Sequence, residues 1–188
     1  MPVPSDVPLP PPAHPAASGD PYRICLVCLG NICRSPMAEV ALRAELAAAG
    51  LAEAVTVDSA GTGDWHIGDR MEAHARAELG RRGYDGSAHR ARQVRPRWLA
   101  DRDLILAMDR RNLADLRRLA ARAGTSPGRI QLFGEAGGLA PRDAGGLDIP
   151  DPYGGESGDF SAVLDLIEEA ARHIAGRLTG LLAGRAPA

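Results

Sequence analysis

The chain has 188 residues, 45% of them hydrophobic, with a formal net charge of -2, which suits one globular domain with a sizeable core plus a tail. This balance argues against a nucleic-acid or membrane-surface partner, both of which call for a basic face, and every basic residue other than histidine is an arginine. No apolar run approaches a membrane span and no basic leader with an apolar stretch opens the chain, so a cytoplasmic protein is expected.

Residues 1–20 are crowded with proline among Ala, Ser and Gly. Too little apolar side chain is present to order such a segment, and a disordered Pro-rich tail is expected there, followed by a domain over 21–184. From Tyr22 short apolar runs alternate with longer amphipathic ones, the pattern of β-α-β units and a parallel sheet. Strands are expected at 23–27, 55–58, 104–108 and 130–132. Helices are expected at 36–49, 71–82, 110–123 and 159–182, two of them stopped by Gly50 and Gly124. The last helix carries Val163, Leu166, Ile167, Ala170, Ile174 and Leu178 on one face, which marks it as core. The fold class is therefore α/β, a single doubly wound domain with a small four-stranded parallel sheet flanked by helices. In that topology the loops that follow the strands gather at one sheet edge, where ligands bind.

The first of these loops carries the chemistry. Cys28 and Arg34 enclose Leu29, Gly30, Asn31, Ile32 and Cys33, and Ser35-Pro36 follow. A Cys and an Arg five residues apart can close a tight loop whose backbone N–H groups converge on one anion. Arg34 then adds a planar fork matched to two phosphoryl oxygens. Ser35 is expected as the N-cap and Pro36 as the first helical residue, so the loop opens on the positive end of a helix. That field favours a thiolate over a thiol and makes Cys28 a nucleophile. Asn31 after Gly30 suits the left-handed backbone that such a loop requires.

Far downstream, Asp151-Pro152-Tyr153-Gly154 is turn chemistry that can swing a carboxyl over a bound ester. Between the two lie Asp58-Ser59-Ala60-Gly61-Thr62, His89-Arg90-Ala91-Arg92-Gln93 and Met108-Asp109 with Asn112. Together, from about Arg23 to the final helix, these segments resemble the low-molecular-weight protein tyrosine phosphatases. The resemblance implies a metal-independent phosphoric monoester hydrolase that acts on phosphotyrosine and aryl phosphates through a phosphocysteine. Cys28 would be the nucleophile, the loop with Arg34 the phosphate clamp, and Asp151 the acid, which must enter protonated. It implies that Asn31, Ser59 and His89 hold the loop's shape, and that Trp65 and Tyr153 wall the pocket with Ile32. Asp109, at a strand end, either orients Arg34 or caps the next helix.

All three cysteines fall before residue 34. Cys25 and Cys28 have the spacing of half a zinc site, but the other half is missing, so no metal or cofactor is expected. Cys33 is a candidate redox partner for Cys28, able to condense with its oxidised form into a reducible disulfide. The alternatives are a protein-arginine phosphatase, an arsenate reductase, or a phosphoprotein-binding module without turnover. Arginine phosphatases of this type tend to carry Thr where this chain has Ile32, although Gly154-Gly155 leans towards that branch. Arsenate reductases need cysteines after Cys33, and a binding module needs neither thiol nor acid. The expected partners are phosphotyrosine-containing proteins and a tyrosine kinase, with the oligomeric state left open.

Overall fold

Successive residues of a strand face opposite sides of its sheet, and a parallel strand buried on both sides is apolar throughout. From Ile24 to Cys28 the first strand meets both conditions. In the computed structural model, which describes residues 7–13, 20–142 and 146–183, strand β1 (Tyr22–Cys28) sends Ile24, Leu26 and Cys28 into one core and Cys25 and Val27 into another. Strands β2 (Val55–Gly61), β3 (Leu104–Ala107) and β4 (Ile130–Leu132) join it in the order β2-β1-β3-β4, with every pairing parallel. This is the small doubly wound sheet expected from the sequence.

Helices cover both faces. Helix α1 (Arg34–Ala48) buries Met37, Ala38, Ala41, Leu42 and Leu46 and packs against α6 (Ser157–Leu182), with α2 (Ala73–Arg81) beside them. On the other face α3 (Pro96–Asp101) and α4 (Arg110–Ala123) bury Leu99, Leu116 and Ala120 over the second core. A one-turn helix α5 (Phe133–Ala136) follows β4 directly. Neither α3 nor α5 has a counterpart in the sequence reading, since six and four residues are too few to show a 3.6-residue period. Along α6 the expected stripe holds, except that Leu166 is half-buried while Leu164 and Ala171 are buried. No helix among the described residues is long and apolar enough to cross a membrane.

The expected tail needs correcting where the structure describes it. Residues 7–13 lie across the edge of the sheet opposite the Cys28–Arg34 loop. Leu9 is buried in the main core, and the Pro8 and Pro10 carbonyls accept from Gln131 Nε2 (2.9 Å) and the Tyr22 hydroxyl (2.7 Å). The Pro11 carbonyl accepts from Arg129 (3.1 Å), and the Ala13 amide donates to Asp103 (2.6 Å). A proline-rich segment lacks donors but keeps all its carbonyls, and its stiff backbone has little entropy to lose. Side-chain donors from the domain fasten it. The rest of the expected tail, 1–6 and 14–19, lies outside the described residues.

Candidate active site

In a sheet ordered 2-1-3-4 the chain leaves β1 and β3 towards opposite faces, and the crevice opens between their C-terminal ends. Cys28 ends β1 there, Asp109 follows β3, and Asp151 arrives on the loop that precedes α6.

The loop from Cys28 to Arg34 is shaped by what its carbonyls do. Those of Cys28 and Leu29 accept from the Thr62 and Gly63 amides at 3.0 and 2.9 Å, that of Asn31 from His89 Nε2 at 2.7 Å, and that of Ile32 from the Glu72 amide at 2.9 Å. The Cys33 carbonyl accepts from Met37 N at 3.1 Å inside α1. C=O and N–H point in opposite directions across a trans peptide, so tying these carbonyls outward turns the following amides inward. Gly61 allows the close approach, because a Cβ built on it would lie 2.7 Å from the Leu29 carbonyl oxygen.

Asn31 is the hub. It has φ of 56°, is fully buried, and directs its amide nitrogen to both Ser35 Oγ and Ser59 Oγ at 2.9 Å. Its side-chain oxygen accepts from the Arg92 amide at 2.8 Å, and its own backbone amide points at Cys28 Sγ at 3.2 Å. The trio Asn31, Ser59 and His89 is thus brought together in space. The His89 ring must donate through Nε2, since a carbonyl is its partner, and burial lowers its pKa below the ordinary histidine value.

Ser35 differs from expectation. Helix α1 begins two residues earlier than expected, at Arg34, with Cys33 in the cap position and no side-chain cap. The Ser35 hydroxyl instead lies 3.0 Å from Cys28 Sγ and 3.3 Å from the Ala60 carbonyl, while Asn31 donates into its oxygen. Its one proton therefore has two acceptors within reach, the Cys28 sulfur at 3.0 Å and the Ala60 carbonyl at 3.3 Å. Cys33 is buried, and burial pushes its thiol pKa up.

Arg34 is buried behind the loop. Nη1 donates to Asp109 Oδ2 at 2.6 Å and to the Ile149 carbonyl at 3.2 Å, and Nη2 donates to Asp151 Oδ2 at 2.6 Å. Nε is buried with no partner among the described residues. Burial opposes the guanidinium charge, but Cys28, Asp151 and Asp109 outweigh it, so the pKa of Arg34 is raised. Asp109 fills both suggested roles, because its Oδ1 accepts the Asn112 amide of α4 at 2.6 Å.

Above the loop is a slot of about 200 Å³ lined by Leu29, Gly30, Ile32, Cys33, Trp65, His66, Asp151 and Tyr153. The rings of Trp65 and Tyr153 are 61% and 63% exposed, large apolar surfaces standing at its rim. His66, which the sequence reading missed, sits between them with ring centroids 6.2 and 6.4 Å away, and Asp69 Oδ2 holds its Nδ1 at 2.9 Å. A lone loop histidine gives no periodic or spacing signal. The zinc alternative fails on geometry, since Cys25 faces the second core and Cys28 the first. Among the described residues no group of three or more His, Cys, Asp or Glu could hold a metal ion.

Residues 23–181 match the model of the low molecular weight phosphotyrosine protein phosphatase family. This chain belongs to that family. A low molecular weight protein-tyrosine-phosphatase of Streptomyces coelicolor is 42% identical to this member over 166 residues, covering 88% of this chain and 98% of the relative. YfkJ of Bacillus subtilis superposes with a TM-score of 0.73 at 35% identity, covering 89% of this family member and 98% of YfkJ. The YwlE arginine phosphatase, as a mutant with a phosphorylated active-site serine, superposes with a TM-score of 0.72 at 27% identity, over 84% of this chain and 96% of its own.

Proposed function

We propose that this chain is a cysteine-dependent protein-tyrosine phosphatase that hydrolyses phosphotyrosine and aryl phosphates through a phosphocysteine on Cys28. The observation that carries the reading is the buried Arg34, whose Nε has no partner among the described residues, in a loop whose amides turn inward beside Cys28 Sγ. That is a site built for a tetrahedral dianion, with a nucleophile beneath it.

The phosphoryl group binds with its non-bridging oxygens on the loop amides, Arg34 Nε and Arg34 Nη2. The last of these now holds Asp151. Phosphate thus displaces the acid from the clamp and sets it near the leaving oxygen. The Cys28 thiolate attacks phosphorus in line, the P–O bond to the ring breaks, and Asp151 gives its proton to the departing phenolate. Water then attacks the phosphocysteine with the same carboxylate as base, the S–P bond breaks, and inorganic phosphate leaves with Cys28 restored as thiolate. Ser35 stabilises the sulfur at both ends of this cycle through its hydroxyl.

Ile32 and the exposed rings of Trp65 and Tyr153 favour a flat aryl group in the slot. An apolar branched side chain at Ile32 offers nothing to a guanidinium, which speaks for phosphotyrosine over phosphoarginine. The substrates are phosphotyrosine-containing proteins, a tyrosine kinase is a candidate partner, and the cytoplasm is the proposed location. Cys33 is the proposed redox partner of Cys28.

The test is a side-by-side assay of phosphotyrosine, phosphoarginine and phosphoserine peptides at matched concentration. Preferential release of phosphate from phosphotyrosine is expected. Faster turnover of phosphoarginine would replace the tyrosine assignment with the arginine one.

A further inference from the structure

A second and larger groove, about 430 Å³, opens on the other side of Trp65 from the catalytic slot. Leu29 and Trp65 border both spaces, so the two adjoin with the indole between them. That ring is seated against Gly63, where an added Cβ would lie 2.2 Å from it, and the backbone there offers no side chain to block the passage. The floor of the groove holds Thr62, whose hydroxyl oxygen is buried with no partner among the described residues, together with the apolar Val94.

Its far wall is helix α4, with Arg118 and Arg122 on the groove. That helix carries five arginines against one acidic residue, Asp115. Asp115 also faces the groove and pairs with Arg118, which leaves part of that charge committed. Arg122 has no ion pair or hydrogen bond among the described residues. It stands in the last turn of α4, where the helix dipole favours a cation, while its guanidinium remains available to an incoming anion.

We propose that this groove is a second substrate subsite, which takes the polypeptide flanking the phosphotyrosine and prefers acidic side chains there. This rests on the phosphatase reading of the slot. A phosphotyrosine seated over Cys28 brings its own backbone to the mouth of the slot, beside Trp65. One direction of the chain then crosses the indole into a groove bordered by Arg122, which has no ion pair among the described residues. Carboxylates one to a few residues from the phosphotyrosine meet Arg122 first and Arg118 second. The specificity arises from charge complementarity outside the reacting centre, so it acts on capture of the substrate.

The experiment uses the full chain and three sets of phosphotyrosine peptides, with glutamate, alanine or lysine placed at the flanking positions, on either side in turn. Para-nitrophenyl phosphate, which has no flank, is the control. For the wild type, glutamate on one side should raise kcat/KM over alanine by about fivefold, as expected of one or two exposed ion pairs, through KM and with loss at high salt. Arg122→Glu should reverse the order so that lysine-flanked peptide is preferred, and Arg118→Ala/Arg122→Ala, which leaves Asp115 unpaired on the groove, should abolish the preference for glutamate. Turnover of para-nitrophenyl phosphate should stay unchanged in each variant, which also certifies the fold. Equal kcat/KM for glutamate and alanine flanks in the wild type, or an acidic preference that survives the double substitution, would overturn the subsite while leaving the phosphatase reading standing. Absence of wild-type turnover on para-nitrophenyl phosphate would remove that reading and the subsite with it.

Discussion

Arg34 Nη2 and Asp151 Oδ2 are 2.6 Å apart, so the proposed phosphate clamp and the proposed general acid hold one another. The pair competes directly with substrate. Asp151→Asn removes the competing charge and should tighten binding of inorganic phosphate, read as a lower inhibition constant. The same variant should slow hydrolysis of phosphotyrosine by about 10²- to 10⁴-fold, with a smaller loss for para-nitrophenyl phosphate, whose leaving group needs less protonation. The fall of wild-type activity on the alkaline side should be absent in it. Unchanged phosphate affinity would show that the contact has no part in binding.

Asn31 combines a left-handed backbone with hydrogen bonds to Ser35, Ser59 and the Arg92 amide. Asn31→Ala loses these and leaves two buried hydroxyls short of a donor, a cost of about 2–4 kcal/mol. Urea melts should show that loss. Activity should fall more than stability explains, because the loop loses its shape, and full activity in a folded Asn31→Ala would contradict the hub.

Burial lowers the pKa of His89, so the unfolded chain binds its proton more readily than the folded one. Above the unfolded value, about 6.5, both states are neutral and stability is unaffected. As pH falls below that value the unfolded state gains protons first, and stability drops. His89→Gln can still donate to the Asn31 carbonyl and should flatten this part of the stability–pH curve. Melting midpoints at several pH values between neutral and acid, for both proteins, make the comparison.

Glu78 is buried and depends on Arg82, which bridges it to Asp165 and Glu168 of α6 at 3.0, 2.8 and 2.7 Å. Arg82→Met leaves that carboxylate with only the exposed Arg81, and should destabilise the fold by about 3 kcal/mol. Phosphatase activity of the folded fraction should be normal, since the cluster lies away from the loop. A melt within error of wild type would show that the Glu78 charge is satisfied without Arg82.

The sheet was legible because β3 and the Ile24–Cys28 part of β1 are apolar throughout, and the proposed site stood out because Cys28, Arg34 and Asp151 carry recognisable chemistry at fixed places. What escaped was decided in three dimensions. Ser35 and Pro36 look like a cap and a first helical residue, but the Ser35 oxygen is drawn instead to Cys28 Sγ and the helix starts at Arg34. The shape of the loop depends on the Glu72 and Gly63 amides and on Gly61, and none of these has a spacing signal. Leu9 was masked by the prolines around it, and the hydrogen-bond partners that hold that segment come from residues about 90 to 170 positions away, apart from Tyr22.

Cys33 lies in the same loop as Cys28, but burial raises its pKa and holds it as a thiol. Its attack on oxidised Cys28 should therefore be slow and faster at alkaline pH. Cys33→Ser should keep most activity yet recover less with reductant after peroxide. Equal recovery of the two proteins would leave Cys33 a packing residue.

The most direct test of the mechanism is acid quenching during turnover of an aryl phosphate, followed by digestion and mass spectrometry. A phosphoryl group on the peptide that contains Cys28, enriched in Asp151→Ala and absent from Cys28→Ser, is the predicted result. A phosphoryl group on any other residue, or steady hydrolysis by purified Cys28→Ser, would contradict the account.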